Sequence, residues 1–478
     1  MKQENIQRRE NQAIREVFDR AGSLRKVMIV GLDYAAREHR AAFCNGQGDL
    51  LCKPVWVHND RAGLAFVEAR MAMLCSKHTI DPRNTVLGGE TPGSWAVNFV
   101  HNLRRNGHLV IDLHAQDVKK HRENATTDND NLSALTISQC LIDKKGREQL
   151  YTGLYCELRM AVRLHAKLVG EVTRIRNRIH SCADVCFPGL LDSDRSGVPA
   201  FGAACLWLLE NHSPASVGGM RTDRLVAHLR KRGVGSADKA VTKLKELADQ
   251  ALPASEETRW ANRWRLGCLI AQYGLLEGQE RQAANEAARL LRLTPGALLT
   301  SVKGIGVKFA FQLTAELGDP DRIGNPAGKV NYFGLTEKSH QTGGGNKPRK
   351  KRGSQRRCNH FGKRAILGIS DSVARWGPPE YRDFHMRRKL EGRNARYALG
   401  RKLLRFAIGV LKLPHVYAPS EFRDEPPDNP AWRVHLRALA EQMHKKWRAY
   451  PECSDPEHDV LGQWEEMARA VYKVDIGI

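Results

Sequence analysis

Three places in the chain set acidic residues where a metal-dependent reaction could use them. "KVMIVGLDYA" (26–35) is an apolar run ending in an acid, Asp33, and "NTVLGGE" (84–90) ends in Glu90. "TTDNDNLSALTISQ" (126–139) sets Asp128 and Asp130 two apart at the start of a helical pattern. Mg²⁺ prefers hard anionic oxygens such as carboxylates and keeps some of its water when bound by them. Three or four carboxylates meeting at one place can hold two such ions about 3.5–4 Å apart, activating the attacking oxygen and stabilising the leaving one in phosphodiester chemistry. Taken singly, each acid reads equally well as the polar end of its element. Together, at element ends and on a basic chain, they read as a metal site.

The elements that must position these acids follow from periodicity. The run at 26–35 predicts a buried strand. Residues 39–57 predict two short strands around an Asn-Gly/Gly-Asp turn, and 60–78 a helix. A strand at 84–90, a helix at 94–107 closed by Gly107, a strand at 108–115 and a helix reaching about residue 144 complete an α/β domain over 26–150. In such a sheet, strand ends and neighbouring helix starts converge on one face. Residues 150–185 read as one long amphipathic helix stopped by Pro188-Gly189, a length suited to a spacer or an oligomerisation element. Helical patterns continue to 295. "LTSVKGIGVKFAFQLTAELGD" (299–319) places Gly-Ile-Gly between two helices, as in a helix-hairpin-helix turn whose glycines let backbone amides approach a phosphate. The expected division is a leader (1–25), the α/β domain (26–150), a helical spacer (151–295), a second domain (296–412), and a Pro-rich connector with a helical tail (413–478).

The 478 residues suffice for several domains with a sizeable core. Lys and Arg number 76 against 53 Asp and Glu, a net charge of +23, the footprint of a polyanion binder. The charge is clustered in "NKPRKKRGSQRRCNHFGKR" (346–364), which contributes Lys347, Arg349, Lys350, Lys351, Arg352, Arg356, Arg357, Lys363 and Arg364 as candidate nucleic-acid contacts. Eleven cysteines include no CxxC pair, and Cys182 with Cys186 lacks a second pair to complete a zinc site. No apolar run reaches the roughly 18 residues of a membrane span, and the polar start does not read as a signal peptide. The expectation is a cytoplasmic protein with reduced thiols that meets no membrane.

The order "GLD", "GGETPGSW", "DVKKHRENATTDNDNLSALTIS" resembles the RuvC-like DEDD domain of the IS110 family of insertion-sequence transposases, relatives of the Piv-type DNA invertases. "LTSVKGIGVKFAFQLTAELGD" with "NYFGLTEKSHQTGGG" is similar to the family's second transposase domain. The resemblance runs from about 26 to 410. It implies a RuvC/RNase H-like N-terminal domain, a coiled-coil spacer and a mainly helical C-terminal domain. It further implies Mg²⁺ (or Mn²⁺) on the acids, a hydroxyl nucleophile that joins covalently to DNA, a structured guide RNA, and a homo-oligomer, dimer or tetramer. Prokaryotic origin and work at the nucleoid are likewise what the resemblance implies. Asp33, Glu90 and Asp130 match the first three acids, Ser133 stands at the fourth, and Thr342 stands where the family has its nucleophilic serine. Sliding the register by two pairs Asp128 with Asn131, so a carboxylate is missing in either frame. Residues two apart diverge on a helix but point the same way in an extended segment, where Asp128 could replace the missing ligand. Ser339 is the alternative hydroxyl. Three functions stay open: a recombinase with a covalent intermediate, a nucleic-acid-binding derivative that has lost catalysis, and a junction nuclease without the covalent step. The spacer could equally fold back within one chain.

Overall fold

The computed structural model describes residues 10–90, 95–122, 130–148, 153–322, 326–336, 339–340, 349–350, 358–419, 430–450 and 456–472. It divides into two compact units, Met1–Leu150 and Tyr151–Ile478.

The first unit is a five-stranded mixed sheet between helices. Strands β1 (Met28–Asp33), β2 (Glu38–Asn45), β3 (Val55–His58), β4 (Thr85–Glu90) and β5 (Leu109–Leu113) lie in the order β3-β2-β1-β4-β5. The first three run antiparallel, and β4 and β5 run parallel to β1. Helices α1 (Gln12–Ala21), α2 (Arg61–His78), α3 (Val97–Arg105), α4 (Ala115–Arg122) and α5 (Asp130–Ile142) cover the two faces. Side chains alternate across a strand. Met28, Val30 and Leu32 therefore join the core under α2 and α3, while Ile29 joins the opposite core with Ile14 and Val17 of α1 and Ile137 and Leu141 of α5. A strand covered on both sides reads as a continuous apolar run, which is why β1 is legible as "MIVGL". The residues expected to be a leader thus supply part of a core, with α1 capped by the Asn11 side chain accepting from the Ile14 amide. One helix was expected after β5, yet two are present. α4, "AQDVKKHR", has Val118 as its only large apolar residue, so it carries no amphipathic repeat to announce it.

The second unit is helical. Helix α6 (Gly153–Cys186) runs out, and five shorter helices follow: α7 (Ser193–Ser196), α8 (Ala203–Asn211), α9 (Pro214–Gly218), α10 (Thr222–Lys231) and α11 (Ala237–Gln250). The 37-residue α12 (Glu256–Arg292) then returns antiparallel to α6. His165 Nε2 lies 2.8 Å from Glu280 Oε1 and Arg176 donates to the Tyr273 hydroxyl at 2.8 Å. The spacer therefore folds back within the chain. Its far end packs Ile175, Ile179, Leu266 and Ile270 with Leu208, Leu225 and Leu244 of the shorter helices, and its near end joins the main core. That core collects α13 (Val307–Leu317), α14 (Pro326–Tyr332), α15 (His360–Trp376), α16 (Pro379–Leu390), α17 (Ala395–Lys412), α18 (Pro430–Trp447) and α19 (Val460–Tyr472). Two-residue strands β6 (Ser339–His340) and β7 (Arg349–Lys350) pair antiparallel between α14 and α15. No helix among the described residues is long and apolar enough to cross a membrane.

The tail is part of this core. Trp432, Leu436, Leu439, Met443 and Trp447 form the apolar stripe of α18 and are buried with Leu298 and Leu299. Burying side chains of this size contributes roughly 1.5–3 kcal/mol each. Polar groups fix the register. Gln442 donates to the Ser301 carbonyl at 3.1 Å, and Trp447 Nε1 to Thr300 Oγ1 at 3.1 Å. Lys446 Nζ reaches the carbonyls of Thr300 and Val302 at 2.6 and 3.0 Å. Burial lowers the Lys446 ammonium to about 7. A neutral amine still has two hydrogens for those two carbonyls. Between pH 7 and the ordinary lysine value the unfolded chain holds a proton that the folded one has released. Stability should therefore rise with pH across that window and level off above it. Melting temperatures from pH 7 to 10 should climb in the wild type relative to Lys446→Met; parallel curves would refute the assignment.

Candidate active site

Glycine decides how the acid-bearing end of the first unit is built. A Cβ at Gly31 of β1 would lie 2.3 Å from both the Ala134 carbonyl oxygen and Ser138 Oγ, and one at Gly88 of β4 would lie 2.8 Å from Leu141 Cδ2. With no side chain there, α5 lies directly on β1 and β4. Its direction follows from its ends. Asn131, in its first turn, accepts from Arg40 Nε at 2.5 Å, and Arg40 pairs with Asp33 across the β1–β2 ladder. Ile142, at its other end, lies against Gly48 beyond the far end of β2. α5 therefore runs antiparallel to β1, with Asp130 at the end where β1 and β4 terminate. β1 and β4 pair Gly31 with Gly88, and Asp33 and Glu90 stand two residues beyond on either strand. Both are half-buried, whereas Asp130 is exposed.

Three of the predicted acids thus share one end of the sheet. Among the described residues no three Asp, Glu, His or Cys side chains are grouped closely enough to hold a metal ion. Asp128 lies outside the described residues, as do 91–94 after Glu90. Ser133 is only 4% exposed, on the face of α5 that packs inward with Ala134 and Ile137.

Sequence reasoning missed the neighbours of these acids. The Arg40 guanidinium stacks over Trp56, 4.6 Å from the ring centroid, while its Nε holds the start of α5. It ties β2, β3 and the Asp130 turn together. The signal available was its place one residue from a buried histidine on an alternating strand, with no hint of Asn131. The Tyr34 ring occupies the space over Gly89. Burial first, then the Asp112 carboxylate, raises the pKa of its hydroxyl, with Arg104 opposing. Asp112 in turn pairs with Arg104 at 2.7 Å. Cys140 is pushed up to about 12 by burial, then by Asp143, Asp117 and Glu90. Neither Tyr34 nor Cys140 supplies an anionic nucleophile at neutral pH. His39 is buried, accepts from the Ala35 amide at 3.2 Å and is held neutral chiefly by burial.

In the second unit the segment carrying the predicted hydroxyl is fixed at its root. β6 and β7 pair Ser339 with Lys350 and His340 with Arg349. Thr342 lies outside the described residues, with Lys347, Lys351, Arg352, Arg356 and Arg357. On the outgoing side, Gly334 turns at φ 63°, a left-handed conformation suited to glycine, against Cys358. On the returning side, the Asn359 amide donates to the Tyr332 carbonyl at 2.8 Å. Beneath both lies Glu316, 1% exposed. It accepts from Asn359 Nδ2 at 2.7 Å, Arg163 Nε at 3.0 Å and Arg159 Nε at 3.4 Å. Arg364 is exposed on α15, but Lys363 is 9% exposed with its ammonium over the Tyr397 ring. α15 turns its inward face at 363, 366, 370 and 373, so membership of a basic run does not place Lys363 at the surface.

Comparison with known proteins points the same way for both units. Residues 30–188 match a DEDD-type IS110 family model described as "Transposase", and residues 296–385 match one described as "Transposase IS116/IS110/IS902 family". The chain is 26% identical over 309 residues to an insertion element IS110 uncharacterized 43.6 kDa protein of Streptomyces coelicolor, covering 63% of this chain and 72% of that one. Residues 189–295 and 386–478 fall outside both family models.

Proposed function

The chain belongs to the IS110 family of insertion-element transposases, and from that premise we propose that it cuts and rejoins DNA through a covalent threonyl–DNA intermediate, at a divalent-metal site in an RuvC-like domain, directed by a structured RNA. A transposase handles DNA, and the charge of +23 suits that partner. The observation that carries the catalytic part is the meeting of the β1, β4 and α5 ends, which bear Asp33, Glu90 and Asp130, at one end of the first unit. The strand order, antiparallel β1-β2-β3 followed by parallel β4 and β5, supports the RuvC-like reading.

The donors suit a hard divalent cation: carboxylate oxygens, half-buried at two positions, beside the guanidinium of Arg40. Asp33, Glu90 and Asp130 would hold it, with Asp128 as the remaining acid. Mg²⁺ or Mn²⁺ bound there would favour ionisation of an attacking oxygen and neutralise charge on the phosphate. Thr342 Oγ1 forms the new bond to phosphorus as the phosphorus–oxygen bond to the departing strand breaks. Its proton passes to solvent, and the departing oxygen takes one up. Attack by the rejoining strand's hydroxyl reverses these steps and frees the threonine. The open turn at Gly306, where a side chain would meet nothing within 4 Å, leaves room for a phosphate at the start of α13, and the basic composition of 346–364 supports phosphate contact as well.

Ser133 favours a second reading. Buried and uncharged at the fourth ligand position, it adds nothing to offset a divalent ion, as expected of a derivative that binds nucleic acid without cutting it. Denaturing gels separate these readings. Wild-type protein incubated with its element-end DNA, cognate RNA and Mg²⁺ should yield a protein–DNA adduct that survives denaturant. Cleavage without adduct would leave a junction nuclease, and neither product would leave the binding derivative.

A further inference from the structure

Two tryptophans stand almost bare near the far end of the helical hairpin. Trp260 and Trp264, one turn apart on α12, are 71% and 69% exposed. On a helix, positions four apart share a face, so the two indoles form one apolar surface with Arg263 and Arg265 exposed beside it. The adjoining helices add more cations. Trp207 of α8 is faced by His228, stacked at 5.0 Å, and by the Arg232 guanidinium at 4.0 Å. Burial, then the charges of His228, Arg263, Arg232 and Arg224, keep the His212 imidazole below its ordinary value. Arg263 Nη2 donates to the Glu210 carbonyl at 3.2 Å, which joins α12 to the end of α8, and Arg232 over Trp207 joins α8 to the end of α10. Carboxylates pair with Arg221, Arg230 and Arg259. Among the described residues none lies within ion-pair distance of Arg224, Arg263 or Arg265.

We propose that this face, in the region between the two family-model matches, binds an unpaired loop of a structured RNA, with bases stacked on Trp260 and Trp264 and phosphates held by Arg224, Arg263 and Arg265. Glu256 and Glu257 lie one turn before Trp260, but Glu256 is paired with Arg259 and the arginines outnumber the acids. A second copy of the chain would therefore set like charge against like, which favours a polyanion as the occupant. Duplex DNA hides its base faces, while RNA loops present unstacked bases to aromatic side chains. The inference rests on the RNA-directed reading above and adds where the RNA is held.

The test uses the full-length protein and fluorescence anisotropy with labelled RNA hairpins bearing a ten-nucleotide loop, the same hairpins with a four-nucleotide loop, and single-stranded and duplex DNA of equal length. Base–aromatic stacking is worth about 1–3 kcal/mol per base, so Trp260→Ala/Trp264→Ala should weaken large-loop binding at least tenfold and leave duplex DNA unaffected. Arg263→Gln/Arg265→Gln should lower the salt slope by about 1.4, two single-strand phosphate contacts at roughly 0.7 each. Unchanged loop affinity in the double tryptophan variant overturns the proposal, as does equal loss with single-stranded DNA. Loss of self-association in that variant, with RNA affinity intact, assigns the face to a second copy instead. If wild-type protein binds no RNA hairpin at all, the RNA-directed reading fails first.

Discussion

Asp33→Asn should lower DNA strand exchange by roughly 10³-fold and leave the stability of the protein within about 1 kcal/mol of wild type. The substitution keeps the shape of the side chain and removes one negative charge. The backbone of Asp33 continues to pair with Arg40 on β2, and β1 stays anchored through Ile29, Val30 and Leu32, all fully buried, so the sheet has no reason to loosen. Loss of one preorganised electrostatic partner in a phosphoryl or acyl transfer site typically costs 10²–10³ in rate. On the proposed reading Asp33 is also a metal ligand, so its loss weakens the hold on the ion itself, hence the upper end of that range. Glu90→Gln should behave alike, because β4 carries it beside Asp33 in the same sheet. The measurement is recombination of a two-plasmid reporter, paired with a thermal melt of the purified protein. Thr342→Ala serves as the internal comparison: it should eliminate the covalent adduct altogether, whereas Asp33→Asn slows its formation. Exchange within tenfold of wild type in a folded Asp33→Asn protein would remove the acid from the reaction.

What made Asp33 and Glu90 legible is local. Each ends an apolar run of a strand whose partners bury it, so the position of the acid can be counted from the hydrophobic pattern alone. The helix start that holds Asp128 and Asp130 was legible from its repeat, but the choice of Asp130 over Asp128 came from the family resemblance and not from the pattern. Everything that orders these three relative to one another is non-local. Arg40 reaches Asn131 across 91 residues, and no pattern in "EHRAAFCN" announces that contact. Gly31 and Gly88 look like interruptions of two strands, yet their missing side chains are what let α5 lie against the sheet. The long helix at 150–185 was visible from its stripe, but an apolar stripe does not say whose stripe it meets. Here α12 of the same chain meets it. Lys363 shows the opposite failure. Charge counting placed it with its neighbours, and helix geometry turned it inward.

Glu316 is the case where hidden long-range contacts should have the largest effect on stability. In sequence it is an ordinary acid near the end of an amphipathic helix. In the fold it is fully buried and accepts from Arg163, Arg159 and Asn359, which come from α6 and from the start of α15. Glu316→Gln keeps the volume and one acceptor oxygen but removes the negative charge that Arg163 and Arg159 share. Breaking a buried ion pair by removing one partner costs about 3–5 kcal/mol. Both arginines stay partly in water, at 25% and 38% side-chain exposure, which lets them rehydrate and sets the expected loss near the lower limit, about 3 kcal/mol. Urea denaturation should show the midpoint falling with the slope unchanged, and Arg163→Met combined with Glu316→Gln should cost less than the sum of the two, because they share one network. The same substitution reaches the reaction by a route Asp33→Asn does not use. Asn359 joins Glu316 to Tyr332 and so holds together the two ends of the segment that carries Thr342. Strand exchange should therefore fall in Glu316→Gln at temperatures well below its melt, with the adduct lost in proportion. A stability change under 1 kcal/mol would mean that the arginines find water as readily as the carboxylate, and that the root of the segment is held by packing alone.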